Sequence, residues 1–398
     1  MDVTIVGGGF GGVKAALELA ESPDFHITLI TDKPDFQYYP ALYGAATGHS
    51  HLESWVPLAK IFAGKPNVKV IIDTIDTIDP SKKALGGSNQ TYHYDTCILA
   101  LGSVTTYFGI QGMDIYSYGI KSAAEIEKLK QRIYTDIIKK RTMDKHYVVI
   151  GAGPTGVELA AALGSYLERL CRHYGVNCDD IKVDLIEAAP RVLPKMHERT
   201  SQAVMKRLQK LGVNVQIGKA VESAAVDKVM VNGEPILSHT VIWTSGVANH
   251  PFYAKHKQHF ALAKNGKVTV NEYMQAFDNV YVIGDNAATP YSGLAQTALH
   301  DALFVTANLK RQANGKSLKK YRAVKPPVVV PVGERWAAFE WHKLRIYGWL
   351  AALLRQAADV VGYSDVLPLG QALGVWHAQT VMEEFPDAKE QKADKNPH

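Results

Sequence analysis

Apolar residues in the first hundred positions fall in short runs broken by glycine and polar residues. Residues 3–6 (Val-Thr-Ile-Val) form a run too short for a helix and apolar enough for a strand buried on both faces. Val13, Ala16, Leu17, Leu19 and Ala20 then recur at helical spacing, and apolar runs at 26–30, 68–72 and 96–101 predict three further strands. The same grammar restarts at residue 146, with a strand at 147–150, a glycine turn, a helix from about Thr155 and a strand at 182–187. A duplicated strand–turn–helix–strand unit predicts an α/β chain with two Rossmann-like dinucleotide-binding domains. Residues 86–90 (Gly-Gly-Ser-Asn-Gln) read as a hairpin turn.

Near the C-terminus the period changes. Residues 341–361 place Ile346, Leu350, Leu353, Leu354, Ala357 and Val361 on one stripe, with Arg345, Arg355, Gln356 and Asp359 opposite. That spacing predicts an amphipathic helix. Four of the six tryptophans (Trp336, Trp341, Trp349, Trp376) lie in this part of the chain, and tryptophan beside basic residues suits the headgroup region of a membrane. The stripe equally suits packing on the protein's own core or on a second subunit. Asp359 and Asp365 make the segment less basic than an ideal anchor. Residues 383–398 are charged and polar, and are expected to be disordered.

The glycine turns carry the chemistry. Gly7-x-Gly9-x-x-Gly12 follows a predicted strand and opens a predicted helix. The first glycine permits the tight turn, the second lets a pyrophosphate approach the backbone, and the third lets helix and strand pack closely. The helix N-terminus then offers free N–H groups to the phosphates. Twenty residues past Gly12, Asp32 stands where a carboxylate accepts from a ribose hydroxyl. The second unit repeats the turn as Gly151-Ala152-Gly153-Pro154-Thr155-Gly156, with Glu187 as its ribose acid. An acid there repels a 2′-phosphate and favours NADH over NADPH, with Arg191 close enough to temper the preference.

Length and composition bound these readings. At 398 residues, 46% hydrophobic and 21% charged, the chain has the make-up of a soluble multi-domain protein with ample core. A net charge of +5 is too mild to argue for nucleic acid, which is not expected as a partner, yet does not oppose an anionic membrane. No uncharged apolar run approaches the ~18–20 residues of a membrane span, so any membrane contact means lying on the surface. The chain opens directly into a strand, and no secretory signal is expected. Cys97, Cys171 and Cys178 are too few for a disulfide scaffold and lack zinc-ligand spacing, so a reducing compartment and no metal are expected.

Residues 277–285 (Phe-Asp-Asn-Val-Tyr-Val-Ile-Gly-Asp) form an apolar strand ending in Gly-Asp. Here the sequence resembles the two-dinucleotide-binding flavoprotein reductases, over roughly residues 1–310. The resemblance implies that Asp285 reaches the FAD ribityl chain, which assigns FAD to the turn at Gly7, Gly9 and Gly12 with Asp32. NADH then falls to Gly151, Gly153, Pro154, Thr155, Gly156 and Glu187. Residues 94–103, which include Gly102, resemble the family's middle strand, although Leu101 stands where threonine is common. Residues 242–246, ending in Gly246, resemble the strand beside the nicotinamide.

The family divides by electron acceptor. The paired cysteines that disulfide and sulfide:quinone reductases need at the flavin are missing from the spacing. Residues 36–48, 102–110 and Ala295-Gln296-Thr297-Ala298-Leu299-His300 resemble type II NADH dehydrogenases, the last stretch resembling their quinone-site motif AQxAxQ with His300 in place of the second glutamine. The resemblance implies FAD contacts at Ala295 and Gln296, a membrane quinone at Gln296 and His300, and proton assistance with NADH contact from Glu158. It also implies peripheral attachment at the cytoplasmic face through the C-terminal segment, and a homodimer. The expected organisation is an FAD domain at 1–115 and 253–335, an NADH domain at 116–252, and a membrane or dimer segment at 336–382. Two other readings stay open: a soluble NADH-dependent reductase serving an iron–sulfur protein, and a slow-turnover FAD/NAD redox sensor.

Overall fold

The computed structural model describes residues 1–137, 143–378 and 381–382, and the expected tail at 383–398 lies outside them. Two parallel sheets carry the duplicated units. The first runs in the order Gln275–Phe277, Val280–Val282, Thr96–Leu99, Asp2–Val6, His26–Thr31, Val68–Ile72, parallel except for the Gln275–Phe277 edge. The second is parallel throughout: Ser117–Tyr118, Thr240–Trp243, His146–Ile150, Lys182–Glu187, Asn214–Ile217. In each, the strand that enters the glycine turn sits between the later strand of its unit and the next one in sequence. That reversal of strand order leaves a crevice at the strand ends, where dinucleotides bind in such folds.

Burial on both faces accounts for the strand sequences. Val3, Ile5 and Val6 pack with Leu29, Ile30 and Ile98 in one core, while Tyr147, Val149, Leu185 and Ile242 centre a second. Helix α1 (Phe10–Ala20) follows the first turn and α2 (Pro154–Tyr174) the second. Glycine at 175 ends α2 in a left-handed cap at φ 63°. Across that cap Cys171 and Cys178 form a disulfide with Cα atoms 6.2 Å apart, and Cys97 is a buried free thiol. The expectation of reduced cysteines is corrected for this pair, because the cap folds the chain back and brings residues seven apart within bridging distance. The hairpin turn at 86–90 lies between antiparallel Ala84–Gly87 and Thr91–His93, closed by Gly87 N–H to Gln90 O at 2.9 Å. Helix α3 (Ala295–Ala313) packs along α1. Among the described residues no helix is long and apolar enough to cross a membrane.

The C-terminal segment departs from expectation twice. Residues 341–361 are not one helix: Val328–Pro331, Ala337–Trp341 and Leu344–Gly348 form an antiparallel meander, and α4 (Trp349–Ser364) begins only after Gly348 at φ 95°. Arg345 and Ile346 therefore lie on a strand, and the segment's own sheet begins eight residues before 336. Second, α4 is inside out. Trp349, Leu350, Leu353 and Val361 are exposed, while Asp359 is buried and Arg355 nearly so. The cause is inward satisfaction of the charges: Arg355 and Asp359 pair at 3.2 Å, Tyr38 Oη donates to Asp359 at 3.0 Å, and Arg355 donates to Pro40 O at 2.9 Å. Gly362 lets α4 approach Tyr38, since a side chain there would strike the tyrosine ring. A further helix, α5 (Leu369–Ala378), follows. Val330 and Ala338 join the second core and Tyr363, Val366 and Leu367 the first, so this segment packs on both.

Candidate functional site

The first turn is built to admit a phosphate. Gly7 sits at φ 115° with its Cα facing the Ala100 carbonyl, and a side chain at Gly12 would run into the Gly7 carbonyl. Around Gly9, by contrast, nothing lies within 4 Å of where a Cβ would be. Helix α1 has neither a side-chain cap nor an acid in its first turn, so its leading N–H groups face the open space. Asp32 is exposed one residue past the His26–Thr31 strand. Gly102, at φ 69°, lies three residues past the neighbouring strand Thr96–Leu99, and Ser103 Oγ donates to Asp285 Oδ2 at 2.8 Å. The turn Gly284–Asn286 that carries Asp285 is held by buried Asp301 of α3, which accepts from Gly284 N at 3.0 Å, and by Ser292 Oγ, which donates to Gly284 O at 2.9 Å.

Lys121 was not among the expected site residues. Its Nζ is buried with no hydrogen-bond partner among the described residues, in the field of Glu125 and Asp285, and burial holds its pKa below the usual lysine value. A buried ammonium needs acceptors. A flavin ring supplies carbonyl and ring-nitrogen acceptors, and together with the free helix terminus and the open space at Gly9 these residues fit FAD.

The second turn repeats the arrangement. Gly151, at φ 103°, faces the Ser245 hydroxyl, Gly156 faces the Gly151 carbonyl, and the space at Gly153 is open. Helix α2 opens with Pro154 and Thr155, again with no side-chain cap or first-turn acid. Glu158 is thus the fifth helical residue, just past the first turn. Glu187 accepts from Ala152 N at 2.7 Å and Ala189 N at 2.8 Å, which fixes its carboxylate against the turn. The Arg191 guanidinium donates to Met196 O at 2.6 Å, Ser201 Oγ at 2.8 Å and Pro194 O at 2.5 Å, neutral acceptors that fix its place and leave its charge in being. Gly246, at φ 70°, accepts from Thr106 N at 3.1 Å and packs under the Phe108 ring.

A polar cluster lies where α4 meets residues 40–53. A cavity of about 60 Å³ is lined by Pro40, Tyr43, His49, Glu53, Arg355 and Asp359 among others. Glu158 feels Arg355 and Asp359. Burial raises its pKa to about 8, Asp359 pushes the same way, and Arg355 pulls it back. The carboxyl therefore holds a proton at neutral pH. Burial likewise raises Tyr43 above the usual phenol range, and Arg355 opposes that shift. The sequence reading assigned Arg355 and Asp359 to a solvent face. Their i,i+4 spacing of opposite charges, followed by Gly362, was the signal that they form a unit.

Gln296 is exposed on the first turn of α3, beside half-buried Ala295. His300 Nε2 lies 2.9 Å from Arg322 O. A carbonyl only accepts, so Nε2 carries the hydrogen and Nδ1 is the free nitrogen.

The matched stretch and the two turns coincide. The pyridine nucleotide-disulphide oxidoreductase family matches residues 1–302. Over 339 residues the chain is 31% identical to the Type II NADH:quinone oxidoreductase Ndh of Mycobacterium tuberculosis, covering 79% of this chain and 73% of that protein. It belongs to the type II NADH:quinone oxidoreductases. The Staphylococcus aureus Type II NADH:quinone oxidoreductase is 26% identical over 393 residues, 93% of this chain and 97% of its own. NDH2 from Plasmodium falciparum, solved in complex with NADH, shares the fold with a TM-score of 0.85 at 17% identity, over 95% of this chain and 97% of that one. This type II NADH:quinone oxidoreductase takes FAD and NADH as its cofactors.

Proposed function

We propose that this enzyme oxidises NADH at the second glycine turn and reduces a membrane quinone beside the first, while attached peripherally to the cytoplasmic face of a membrane as a homodimer. When bound, FAD would supply two-electron transfer from NADH to the quinone, which takes up two protons. The chain's own part is to hold, orient and supply protons. The turn Gly7–Gly9–Gly12, Asp32, Gly102, Asp285 and Ala295 hold FAD. The turn Gly151–Gly153–Pro154–Thr155–Gly156, Glu187 and Gly246 hold NADH, and the Glu187 carboxylate disfavours a 2′-phosphate, a preference that the Arg191 charge tempers. Glu158 keeps a proton at neutral pH, in the field of the cavity residues Arg355 and Asp359, and delivers it as the quinone is reduced. Gln296 donates a hydrogen bond to a quinone oxygen. His300 donates through Nδ1 only when its ring is doubly protonated, because Nε2–H is committed to Arg322.

The observation that supports this most is that protonated Glu158 lies in the field of Arg355 and Asp359, which line a cavity together with Pro40, Tyr43 and Glu53. The test is NADH oxidation by the purified flavoprotein with a short-chain quinone. Stoichiometric NADH and quinone consumption is expected. An enzyme that bleaches with NADH yet passes electrons only to an iron–sulfur protein contradicts the reading, and analytical ultracentrifugation that finds only monomer removes the dimer.

A further inference from the structure

Glu187 follows Gly156 by 31 residues, against the ~20 usual between the last glycine of such a turn and its ribose acid. The excess lies at the far end of α2, a helix of 21 residues, and in the loop 175–181 that returns the chain to strand Lys182–Glu187. Lengthening such an excursion adds to the entropy lost when its two ends are held together. Here it is closed at both ends. Beside the turn, Glu187 accepts from Ala152 N at 2.7 Å, and at the far end Cys171 is bonded to Cys178. Turn, helix, disulfide and strand form one ring, with the glycine turn on one side and the sulfur staple on the other.

Two side chains tie the last turns of α2 to the rest of the protein. Tyr166 Oη donates to Tyr134 Oη at 3.3 Å while its ring backs Gly48, and Arg169 Nη2 donates to Thr47 O at 3.3 Å. Past them, the cap directs the N–H groups of Gly175 and Val176 at Cys171 O, and Val176 and Ile181 are only half-buried. The two sulfurs of the staple differ in access. Cys171 is 4% exposed, whereas Cys178 is half-buried between exposed Asn177 and Asp179. An incoming thiolate reaches Cys178, and Cys171 departs. On the proposed cytoplasmic face the bond meets dithiol reductants, and disulfides found in that compartment are mostly transient or redox-sensing.

We propose that Cys171–Cys178 is a thiol-exchange site for a protein dithiol, and that its reduction loosens the ring and weakens NADH binding at the second turn. The coupling rests on the reading of that turn as the NADH site. One thiolate of the reductant attacks Cys178 Sγ, forming a mixed disulfide and expelling the Cys171 thiolate, which takes up a proton. The second thiol of the reductant gives up its proton and attacks its own partner sulfur, releasing Cys178 as a thiolate that is protonated in turn. Two electrons and two protons pass to the enzyme, and the reductant leaves as a disulfide. In the opened ring only a fraction of molecules keeps Glu187 seated against Ala152, and the apparent Kd for NADH rises by the inverse of that fraction.

The test uses the full-length, flavin-loaded enzyme under native conditions. It is incubated with reduced thioredoxin, desalted, and divided between thiol labelling and NADH titration at saturating short-chain quinone. Labelling of Cys171 and Cys178 but not of buried Cys97 is expected. The KM for NADH should rise about threefold or more at unchanged kcat, a competent fraction of about one third, and return on reoxidation with oxidised glutathione. Thioredoxin lacking its second active-site cysteine should be trapped on Cys178. The double variant Cys171→Ser, Cys178→Ser should hold the raised KM and ignore the reductant; should it not fold, the oxidised and reduced forms of the native chain still decide the matter. Labelling only after denaturation, or trapping on Cys171, overturns the exchange site. A KM that stays put on reduction overturns the coupling. Gly156→Ala tells that failure from failure of the NADH reading: it raises the KM where the second turn holds NADH and leaves it unmoved where that reading is itself wrong.

Discussion

Replacing Glu158 with glutamine keeps the size and removes the proton. The carboxyl's pKa of about 8 stands well above the ordinary glutamate value of ~4.3, chiefly through burial. At pH 7 roughly nine molecules in ten carry the proton, and at pH 9 roughly one in ten. If Glu158 supplies a proton to the reduced quinone, reoxidation of the flavin by quinone should slow about tenfold between those pH values, with a limb near pH 8. Glu158→Gln should be about 100-fold slower at pH 7, the low end for a lost general acid, and its profile should lack that limb. Arg355→Leu should move the limb to higher pH, since Arg355 is the one group pulling the carboxyl down. Stability follows the same sign. The folded state binds more protons than the unfolded one between about pH 4 and 8, so stability falls as pH rises through that window, by at most ~1.4 kcal/mol per unit. Partial solvent access makes the true slope smaller, and the glutamine variant should lack this contribution. The assay is anaerobic stopped-flow of pre-reduced enzyme against a short-chain quinone across pH 6–10. A limb that persists unchanged in Glu158→Gln, or a wild-type limb near pH 5, refutes the reasoning.

Gly156→Ala places a methyl against the Gly151 carbonyl and Thr244 Oγ1, so the KM for NADH should rise about tenfold or more with flavin absorbance retained; loss of the flavin instead would put FAD on the wrong turn. Lys121→Met removes a buried cation near Asp285 and should make the flavin potential more negative by about 30 mV or more, read by spectroelectrochemistry; no change would place Lys121 away from the ring. Alkylation of the unreduced, denatured protein should label Cys97 alone, and reduction should expose Cys171 and Cys178 and lower stability by about 2–3 kcal/mol; three labelled thiols before reduction would remove the disulfide.

The doubly wound units were legible because glycine spacing and strand hydrophobicity are local signals. The runs at 3–6, 26–30 and 182–187 coincide with strands Asp2–Val6, His26–Thr31 and Lys182–Glu187, since a strand covered on both faces is mostly apolar, and the buried Asp184 of the third is satisfied by His146 and Asn214. Gly7, Gly12 and Gly156 face carbonyls, and Gly151 the Ser245 hydroxyl, that a side chain would strike, which the motif already encodes. The C-terminal segment was illegible for a physical reason. A helical wheel identifies two faces but not which one the protein covers, and Arg355 and Asp359 turn inward because each satisfies the other and Tyr38 and Pro40 satisfy both. Gly348, at φ 95°, was an available break between strand and helix that periodicity alone passed over. Lys121 and the Cys171–Cys178 pair depend on contacts across the fold or across a helix cap, and no spacing rule pointed to them.

The most direct test of the central claim is anaerobic stopped-flow with the purified flavoprotein, mixed first with NADH and then with a short-chain quinone. The account predicts rapid bleaching of the flavin band by NADH followed by equally complete, rapid recovery on quinone. Bleaching with no recovery on quinone would contradict it, leaving the two dinucleotide sites standing and the acceptor to be sought among proteins.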